Sequence, residues 1–173
     1  MEWLLPAGIG CLLTVLVLRV ALVLRGSGEH KPGKKGHVSL LVVAGSGGHT
    51  TEVLRLLSGL SKSYYPTHYV LAETDKMSEE KIHSFETSKN ETSEDPLILC
   101  NGPGTCIPVC FSALLLGVLG IKKIIIVYVE SLCRVETLSL SGKILYHVAD
   151  HFIIQWPLLK DKYPNAIYMG RIV

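Results

Sequence analysis

The feature that most constrains the fold of this chain is an apolar run followed by closely spaced glycines at residues 40–52, Leu-Leu-Val-Val-Ala-Gly-Ser-Gly-Gly-His-Thr-Thr-Glu. The apolar residues favour a buried parallel strand, and the glycines predict a tight turn into a helix. Gly45, Gly47 and Gly48 have no side chains, so backbone N–H groups can approach a ligand closely. A helix that begins near His49 points its positive dipole end at the same place, which favours a phosphate or pyrophosphate. The alternative is a turn that requires glycine and binds nothing.

Spacing and composition exclude several functional classes. The glycine spacing is G-x-G-G-H, which differs from the G-x-G-x-x-G fingerprint of dinucleotide-binding folds, so a nicotinamide enzyme is not expected. A formal net charge of only +2 and the lack of a basic stripe with interleaved aromatic residues argue against nucleic-acid binding. Cys106 and Cys110 share a predicted helix face, but no second pair follows at zinc-site spacing. We therefore expect no metal and no cofactor.

The N-terminal segment 3–24 is almost entirely apolar and is interrupted only by Thr14 and Arg19. A helix needs about 20 such residues to cross a bilayer, so residues 1–25 are predicted to be a transmembrane anchor. The alternative, a cleaved signal peptide, would have a basic start, a shorter apolar core and a small-residue cleavage site. Basic residues follow this segment and none precedes it, which predicts a lumenal N-terminus and a cytosolic domain. These residues are Arg25, Lys31, Lys34 and Lys35.

After a Gly/Lys-rich linker at 26–37, strand-like and helix-like segments alternate through residues 38–173. The predicted strands lie at 40–44, 67–72, 97–100, 123–129, 151–155 and 167–170. The predicted helices lie at 51–61, 78–85, 107–120 and 138–149, and Trp156-Pro157 opens a short last one. This alternation predicts one α/β domain with a Rossmann-like, doubly wound parallel sheet. The apolar segment 106–121 is shorter than a membrane span requires, so a core helix is favoured over a second span.

Four short motifs lie at predicted strand ends and turns: Gly-Ser-Gly-Gly-His-Thr at 45–50, Asn-Gly-Pro-Gly-Thr at 101–105, Tyr-Val-Glu-Ser at 128–131 and Gln-Trp-Pro at 155–157. Together, over nearly the whole chain, they resemble the family of membrane-anchoring subunits of the two-protein UDP-N-acetylglucosamine transferase of dolichol-linked oligosaccharide assembly. More distantly, they are similar to the acceptor-binding half of the bacterial lipid II glycosyltransferase. The resemblance implies a GT-B enzyme divided between two chains. This chain would anchor the complex at the endoplasmic reticulum and hold the lipid-linked acceptor, and a catalytic subunit would supply the UDP-N-acetylglucosamine site.

One stretch departs from the family pattern. Family members carry several dozen more residues, including elements of the sheet, between the helix that ends near Phe85 and the strand at Leu97. This chain has only a polar bridge there, at 87–96. We interpret the chain as a shortened form. The missing residues would affect the sheet and the acceptor groove more than the rest of the domain.

The resemblance implies acceptor binding at the two glycine-rich turns. Backbone N–H groups of the first turn would cradle the pyrophosphate of the acceptor; its residues are Gly45, Ser46, Gly47, Gly48 and Thr50. His49 is a candidate phosphate contact or a general base for the acceptor hydroxyl, and the alternative is a helix-start residue that bonds to its neighbours. The second turn would shape the acceptor pocket or be a plain Pro/Gly turn. Its residues are Asn101, Gly102, Gly104 and Thr105.

Two charged residues and the C-terminus complete the candidates. Glu130 closes a predicted strand, where α/β sheets gather ligands, and is a candidate base or sugar-binding group; the alternative is an exposed carboxylate. Arg134 is a candidate phosphate ligand or a surface salt-bridge partner. The chain ends where a one-chain enzyme would enter its donor domain, so the apolar end is expected to bind the catalytic partner, or else to complete the sheet. These residues are Tyr168, Met169, Ile172 and Val173.

A non-enzymatic membrane adaptor that only recruits a soluble partner is the rival interpretation. Both interpretations predict partner binding, and they differ in whether the glycine loop touches substrate. In the favoured one, the isolated chain is not expected to be active without its catalytic partner.

Overall fold

Strands and helices alternate along the chain in the computed structural model, which describes residues 4–25, 38–61, 63–86 and 95–173. The helices are α1 (Leu4–Arg25), α2 (Gly48–Ser58), α3 (Lys76–Glu86), α4 (Cys106–Val118), α5 (Leu140–Leu145) and α6 (Pro157–Lys162). The strands are β1 (Val38–Val43), β2 (Thr67–Val70), β3 (Asp95–Asn101), β4 (Ile125–Val129), β5 (His151–Ile154) and β6 (Ile167–Tyr168). The predicted linker at 26–37 and most of the polar bridge lie outside the described residues. At 4–9, 25, 95 and 96 only the backbone is described.

The six described strands are all parallel and form one sheet in the order β2-β1-β3-β4-β5-β6. β1 lies between β2 and β3, so that Leu40 pairs with Thr67 on one side and with Leu97 on the other. The chain therefore leaves β1 toward one edge of the sheet and later returns to its other side. The position between β1 and β3 is a topological switch point, where diverging loops leave a crevice for ligands. The doubly wound parallel sheet predicted from the sequence is confirmed.

Each face of the sheet has its own apolar cluster, because alternate strand residues point to opposite faces. On one face, Leu40 and Val42 of β1 pack with Val53 and Leu57 of α2. On the other face, Val43 of β1 belongs to a cluster that α4 covers. The buried residues of α4 in this cluster are Cys106, Cys110 and Ala113. Most of the apolar segment 106–121 therefore forms a helix that packs on the core, as the sequence predicts, and this helix ends at Val118.

β3 begins earlier than the sequence predicts. Its backbone pairs with β1 from the first register pair, Val38 with Asp95, so the last part of the predicted polar bridge belongs to the sheet. It pairs along its other edge with β4, as far as Asn101 with Val129. The sheet is thus continuous on both sides of the switch point, in spite of the short connection between α3 and β3.

The helix predicted at 138–149 is shorter in the structure and covers only Leu140–Leu145. Ser139 is its N-cap, with an extended backbone, and its hydroxyl accepts a hydrogen bond from the Gly142 N–H at 2.9 Å. The Ser139 N–H donates to Glu130 Oε2 at 3.0 Å. This contact between Ser139 and Glu130 fixes the start of α5, and no local sequence pattern predicts it.

α1 is a helix of 22 residues at the position where the sequence predicts the anchor. It packs against α4: the Val23 side chain of α1 lies so close to Gly117 of α4 that a Cβ added at Gly117 would be 3.4 Å from Val23 Cγ1. Many of its large apolar side chains are exposed: Leu12, Leu13, Val15, Leu16, Val17, Leu18, Leu22 and Leu24. Among the residues described in the structure, none forms a helix with the length and apolar character that crossing a membrane requires. That α1 crosses a membrane stays a prediction.

Candidate functional site

The turn after β1, which we call the glycine loop (residues 44–47), depends on two glycines for different reasons. Gly47 has a φ of +66°, in the left-handed region that residues with side chains rarely adopt. Gly45 is buried, and a Cβ there would lie 2.5 Å from the Pro103 side chain. A Cβ at Gly48 would meet nothing within 4 Å. The loop therefore requires glycine for backbone angle and for space, and the start of α2 is left open.

The turn after β3 packs directly on the glycine loop. Pro103 fits beside Gly45, and the His49 ring lies over Gly102, where an added Cβ would be 2.5 Å from Cε1 and 2.7 Å from Nδ1. Gly102 also has a left-handed backbone, with a φ of +69°. Two segments that are far apart in the chain thus interlock at the switch point. Gly45 of the glycine loop faces the Pro103 ring, and Gly102 of the second turn faces the His49 ring at the start of α2.

Two clefts open at this edge of the sheet, and Ser46 lines both. The first, which we call the histidine cleft, has a volume of about 420 Å³ and is lined by residues that include Gly48, His49, Gly102 and Arg134. The second, which we call the proline cleft, has a volume of about 460 Å³ and is lined by residues that include Gly45, Pro103, Gly104 and Thr105. The structure therefore divides most of the predicted acceptor-binding residues between two adjoining clefts, and Gly47, Thr50 and Asn101 line neither of them.

His49 is held by a side chain of β3. Its Nδ1 lies 3.3 Å from Oδ1 of Asn101, which is fully buried. The Asn101 Nδ2 donates to Glu52 Oε2 at 3.0 Å and to the Val129 carbonyl at 3.3 Å. Because the amide nitrogen faces these two acceptors, the amide oxygen faces His49, and this hydrogen-bond pattern assigns the ring proton to Nδ1. Nε2 is then the proton acceptor of the neutral imidazole.

Glu52 also belongs to this site, although it lies outside the four motifs that predicted the site residues. Besides Asn101, its carboxylate accepts the Ser131 hydroxyl at 2.9 Å and the Leu132 N–H at 3.4 Å. The glutamate thereby joins α2, β3 and the loop after β4. The available signal was its spacing, since residues three apart on a helix share a face and Glu52 follows His49 by three.

Glu130 is fully buried, which differs from the exposed strand-end carboxylate considered as the alternative. Its carboxylate accepts hydrogen bonds from the Ser131 N–H at 3.1 Å and from the Ser139 N–H and hydroxyl at 3.0 and 3.1 Å. Burial raises the pKa of Glu130, and these hydrogen bonds and the charge of Arg134 partly oppose that rise. Glu130 thus fixes the loop at 131–139 and lines neither cleft. A catalytic role for it stays a prediction.

Thr50 is also fully buried and supports the glycine loop from behind. Its hydroxyl is hydrogen-bonded to the Gly45 carbonyl and lies 2.6 Å from Ser78 Oγ. The structure therefore places Thr50 outside both clefts, and Asn101 behind His49. Of the predicted polar site residues, Ser46, His49 and Arg134 line the histidine cleft, and Arg134 is exposed there.

The C-terminal candidates fall into two pairs. Tyr168 and Met169 are 45% and 58% exposed at the outer edge of the sheet. Ile172 and Val173 are half-buried. The Ile172 N–H donates to Gln155 Oε1 at 3.1 Å, and its side chain packs against the cluster under α2. The terminus is thus docked on the domain, and its first two apolar residues face outward.

The described part of the chain has no group of three or more His, Cys, Asp or Glu side chains arranged to hold a metal ion. Cys100 Sγ lies 3.5 Å from Cys110 Sγ in the core, and both thiols are free. Hydrogen bonding to the Cys106 and Cys110 thiols, together with burial, raises the pKa of the Cys100 thiol. These cysteines pack between β3 and α4 as reduced core residues.

Fold and site define an α/β protein of the doubly wound class with a glycine-rich cleft at the switch point of its parallel sheet. The chain matches a family model described as "Oligosaccharide biosynthesis protein Alg14 like" over residues 40–95 and 92–172. It belongs to the Alg14 family.

Curated relatives agree with this assignment. The protein named "UDP-N-acetylglucosamine transferase subunit ALG14" of Homo sapiens is 49% identical, over 98% of this chain and 97% of the relative. Proteins of the same name from Yarrowia lipolytica and Schizosaccharomyces pombe are 35% and 36% identical, each over 94% of this chain and 95% of the relative. No solved structure matches the chain. The resemblance drawn from the four motifs is confirmed, and the relatives' names fit the transferase subunit and not the rival adaptor.

The comparison also bears on the shortened form. The alignment with the human protein runs over 215 residues, more than the 173 of this chain, so the relative has residues with no counterpart here. The two matched ranges of the family model overlap at residues 92–95, just before and at the first residue of β3. Both findings agree with an internal segment missing at that place.

Proposed function

We propose that this chain is the membrane-anchoring, acceptor-binding subunit of a UDP-N-acetylglucosamine transferase that adds the second N-acetylglucosamine to dolichyl-pyrophosphate-N-acetylglucosamine. Membership of the Alg14 family and the names of the relatives support the role of transferase subunit. The observation that carries acceptor binding is the open start of α2, where Gly48 and His49 line the histidine cleft together with Arg134. In this proposal the UDP-N-acetylglucosamine site lies on the catalytic partner.

The pyrophosphate of the acceptor fits the start of α2. Gly47 has no side chain with which to cap the helix, so the first N–H groups are available to an anion that the helix dipole also favours. Arg134 adds a positive charge in the same cleft. The Glu52 carboxylate does not oppose the anion fully, because three hydrogen-bond donors already engage it.

His49 serves as the general base in this proposal. The acceptor hydroxyl oxygen bonds to the anomeric carbon of the donor sugar, UDP leaves with the electron pair of the broken bond, and the hydroxyl proton passes to His49 Nε2. An imidazole takes up a proton at neutral pH, and positioned bases of this kind contribute about 10²- to 10⁴-fold to rate. The hydrogen bond between Nδ1 and Asn101 leaves Nε2 as the acceptor for that proton.

The proposal places α1 across the endoplasmic reticulum membrane, with the domain in the cytosol. The apolar segment 3–24 of the sequence supports this placement, because a span needs about 20 predominantly apolar residues. The basic residues that follow the apolar segment support the orientation. An outer face of α4 and the turn after it carries exposed apolar side chains beside α1, and we assign this face to the membrane surface. These side chains are Phe111, Leu115, Leu119 and Ile121.

The proposal also assigns the catalytic partner to the C-terminal edge. Met169→Asp should abolish co-purification of the partner, because a charge would be buried in an apolar contact. Leu158→Asp is the control, because it places the same charge on an apolar side chain of α6 whose exposed fraction is similar. Leu158 is 53% exposed and Met169 is 58% exposed. The variants are compared by affinity capture of the anchored chain. Removing residues 171–173 should also release the partner, and full co-purification of Met169→Asp would place the interface elsewhere.

The function is tested directly by measuring transfer of N-acetylglucosamine to dolichyl-pyrophosphate-N-acetylglucosamine. We expect product when this chain and the catalytic partner are both present, and none with this chain alone. Retention of the acceptor by this chain in nanodiscs, without the partner, would separate an acceptor-binding subunit from an adaptor. If the partner alone reaches the full rate on the same membranes, the proposal is wrong.

A further inference from the structure

A chain of hydrogen bonds runs behind His49 from the loop after β4. The Leu132 N–H and the Ser131 hydroxyl hold the Glu52 carboxylate at 3.4 and 2.9 Å. Glu52 Oε2 accepts the amide N–H of Asn101 at 3.0 Å, and Asn101 Oδ1 faces His49 Nδ1 at 3.3 Å. We propose that Glu52 is a positioning residue that acts through Asn101 to decide which ring nitrogen of His49 carries the proton. The kinetic part of this inference rests on the proposed function.

The orientation of the Asn101 amide is the step that Glu52 controls. As found, its nitrogen faces two acceptors, the Glu52 carboxylate and the Val129 carbonyl. Turned by half a rotation, the amide oxygen would face both acceptors, an arrangement without a hydrogen bond in a buried place. The amide nitrogen would then donate to His49 Nδ1, which would have to give up its proton to Nε2. The flipped amide therefore removes the base from the cleft.

The carboxylate is the stronger of the two groups that prevent this flip. A hydrogen bond to an ionised acceptor is about twice as strong as a neutral one, and the Val129 contact is also longer, at 3.3 Å. The two donors from the loop after β4 fix the carboxylate in turn. The arrangement follows the general logic of activated side chains, in which a third group orients the base.

Three variants of Glu52 separate geometry from charge. In Glu52→Gln, the amide oxygen can still accept hydrogen bonds from Asn101 and Leu132. The amide nitrogen then faces the Ser131 hydroxyl oxygen and can donate a hydrogen bond to it. Glu52→Ala removes the acceptor, and Glu52→Asp keeps the charge but draws it back by one methylene. We expect Glu52→Gln to retain the wild-type arrangement and the other two to lose it.

The direct readout is the ¹⁵N spectrum of histidine-labelled full chain in nanodiscs, with His49→Gln used to identify the His49 signals. Wild type and Glu52→Gln should show Nδ1 protonated in the neutral ring. Glu52→Ala and Glu52→Asp should show the proton shifted wholly or partly to Nε2. An unchanged tautomer in both of these variants overturns the inference. This measurement needs no transferase reaction, so it stands or falls separately from the proposed function.

The second readout is transfer by the complex with its catalytic partner. Glu52→Ala and Glu52→Asp should lower kcat by up to about 100-fold with little change in the KM for the acceptor, since misplacement of a reacting group acts on the chemical step. Glu52→Gln should restore most of the rate. Glu79→Ala, an exposed glutamate of α3, is the control and should leave both constants unchanged. A shifted tautomer with an unchanged kcat overturns the kinetic part, and with it the base role of His49. Should Glu52→Ala fail to fold or to bind the partner, Glu52→Asp decides.

Discussion

His49→Ala is expected to lower N-acetylglucosamine transfer by about 10²- to 10⁴-fold, which is the usual contribution of a positioned general base. The ring lies in the histidine cleft with Nε2 as its proton acceptor, and among the residues that the structure describes no other histidine lines either cleft. The effect should fall on kcat, measured with the reconstituted complex. Co-purification of the catalytic partner should be unchanged, because the partner surface is assigned to the opposite end of the chain.

Two further variants make this result interpretable. His49→Gln keeps a polar side chain near Asn101 but cannot take up a proton, so it should lose nearly as much rate as alanine. His68→Ala, at an exposed position of β2, should retain full activity. If His49→Ala in the complex is fully active, the catalytic and phosphate roles of His49 both fail. Only its place at the start of α2, over Gly102, would then remain.

Gly102→Ala is expected to abolish transfer while the chain stays folded and anchored. The new Cβ would lie 2.5 Å from the His49 ring and would sit on a backbone with a φ of +69°, so both the ring and the turn have to move. The backbone strain and the overpacking each lower the free energy of unfolding by about 1–3 kcal/mol, so we expect the chain to remain folded. Transfer should still be lost, because the His49 ring is displaced from its position in the cleft. Transfer by the complex and thermal unfolding of the chain are the two measurements.

The glycine loop offers matched tests of the same interlock. Gly45→Ala should behave like Gly102→Ala, because its Cβ would lie 2.5 Å from Pro103. Gly47→Val should also abolish transfer, since a branched side chain strains a left-handed backbone and blocks the anion. Gly59→Ala is the control, at the end of α2, where the nearest atom is 3.5 Å away and φ is −85°. Full activity of Gly102→Ala would show that the two turns need not fit together for acceptor use.

Much of the site could be predicted because its parts are local patterns. The apolar run and the glycines at 40–52 predict a strand, a turn and a helix start, and each of these is found. The second turn at 101–105 follows another strand end in the same way. Carboxyl ends of parallel strands meet at one edge of the sheet, so their convergence follows once the sheet is known to be parallel.

The remaining features could not be predicted, because they are contacts between distant residues. Glu52 reads as an ordinary helix residue until Asn101 and Ser131 are placed beside it. Asn101 and Glu130 both lie at the ends of parallel strands, and no local pattern in the sequence shows which of the two reaches a cleft. In the structure, Asn101 turns toward His49, whereas Glu130 caps the start of α5 through Ser139.

The sequence by itself determined the alternation of strands and helices, the two glycine turns and the family, since periodicity, glycine placement and short motifs are properties of neighbouring residues. Only the tertiary structure decided which polar strand-end group reaches a cleft and which ring nitrogen of His49 accepts a proton. Those outcomes depend on hydrogen bonds among α2, β3 and the loop after β4. Such bonds exist only when the sheet has brought His49, Asn101 and Glu52 together.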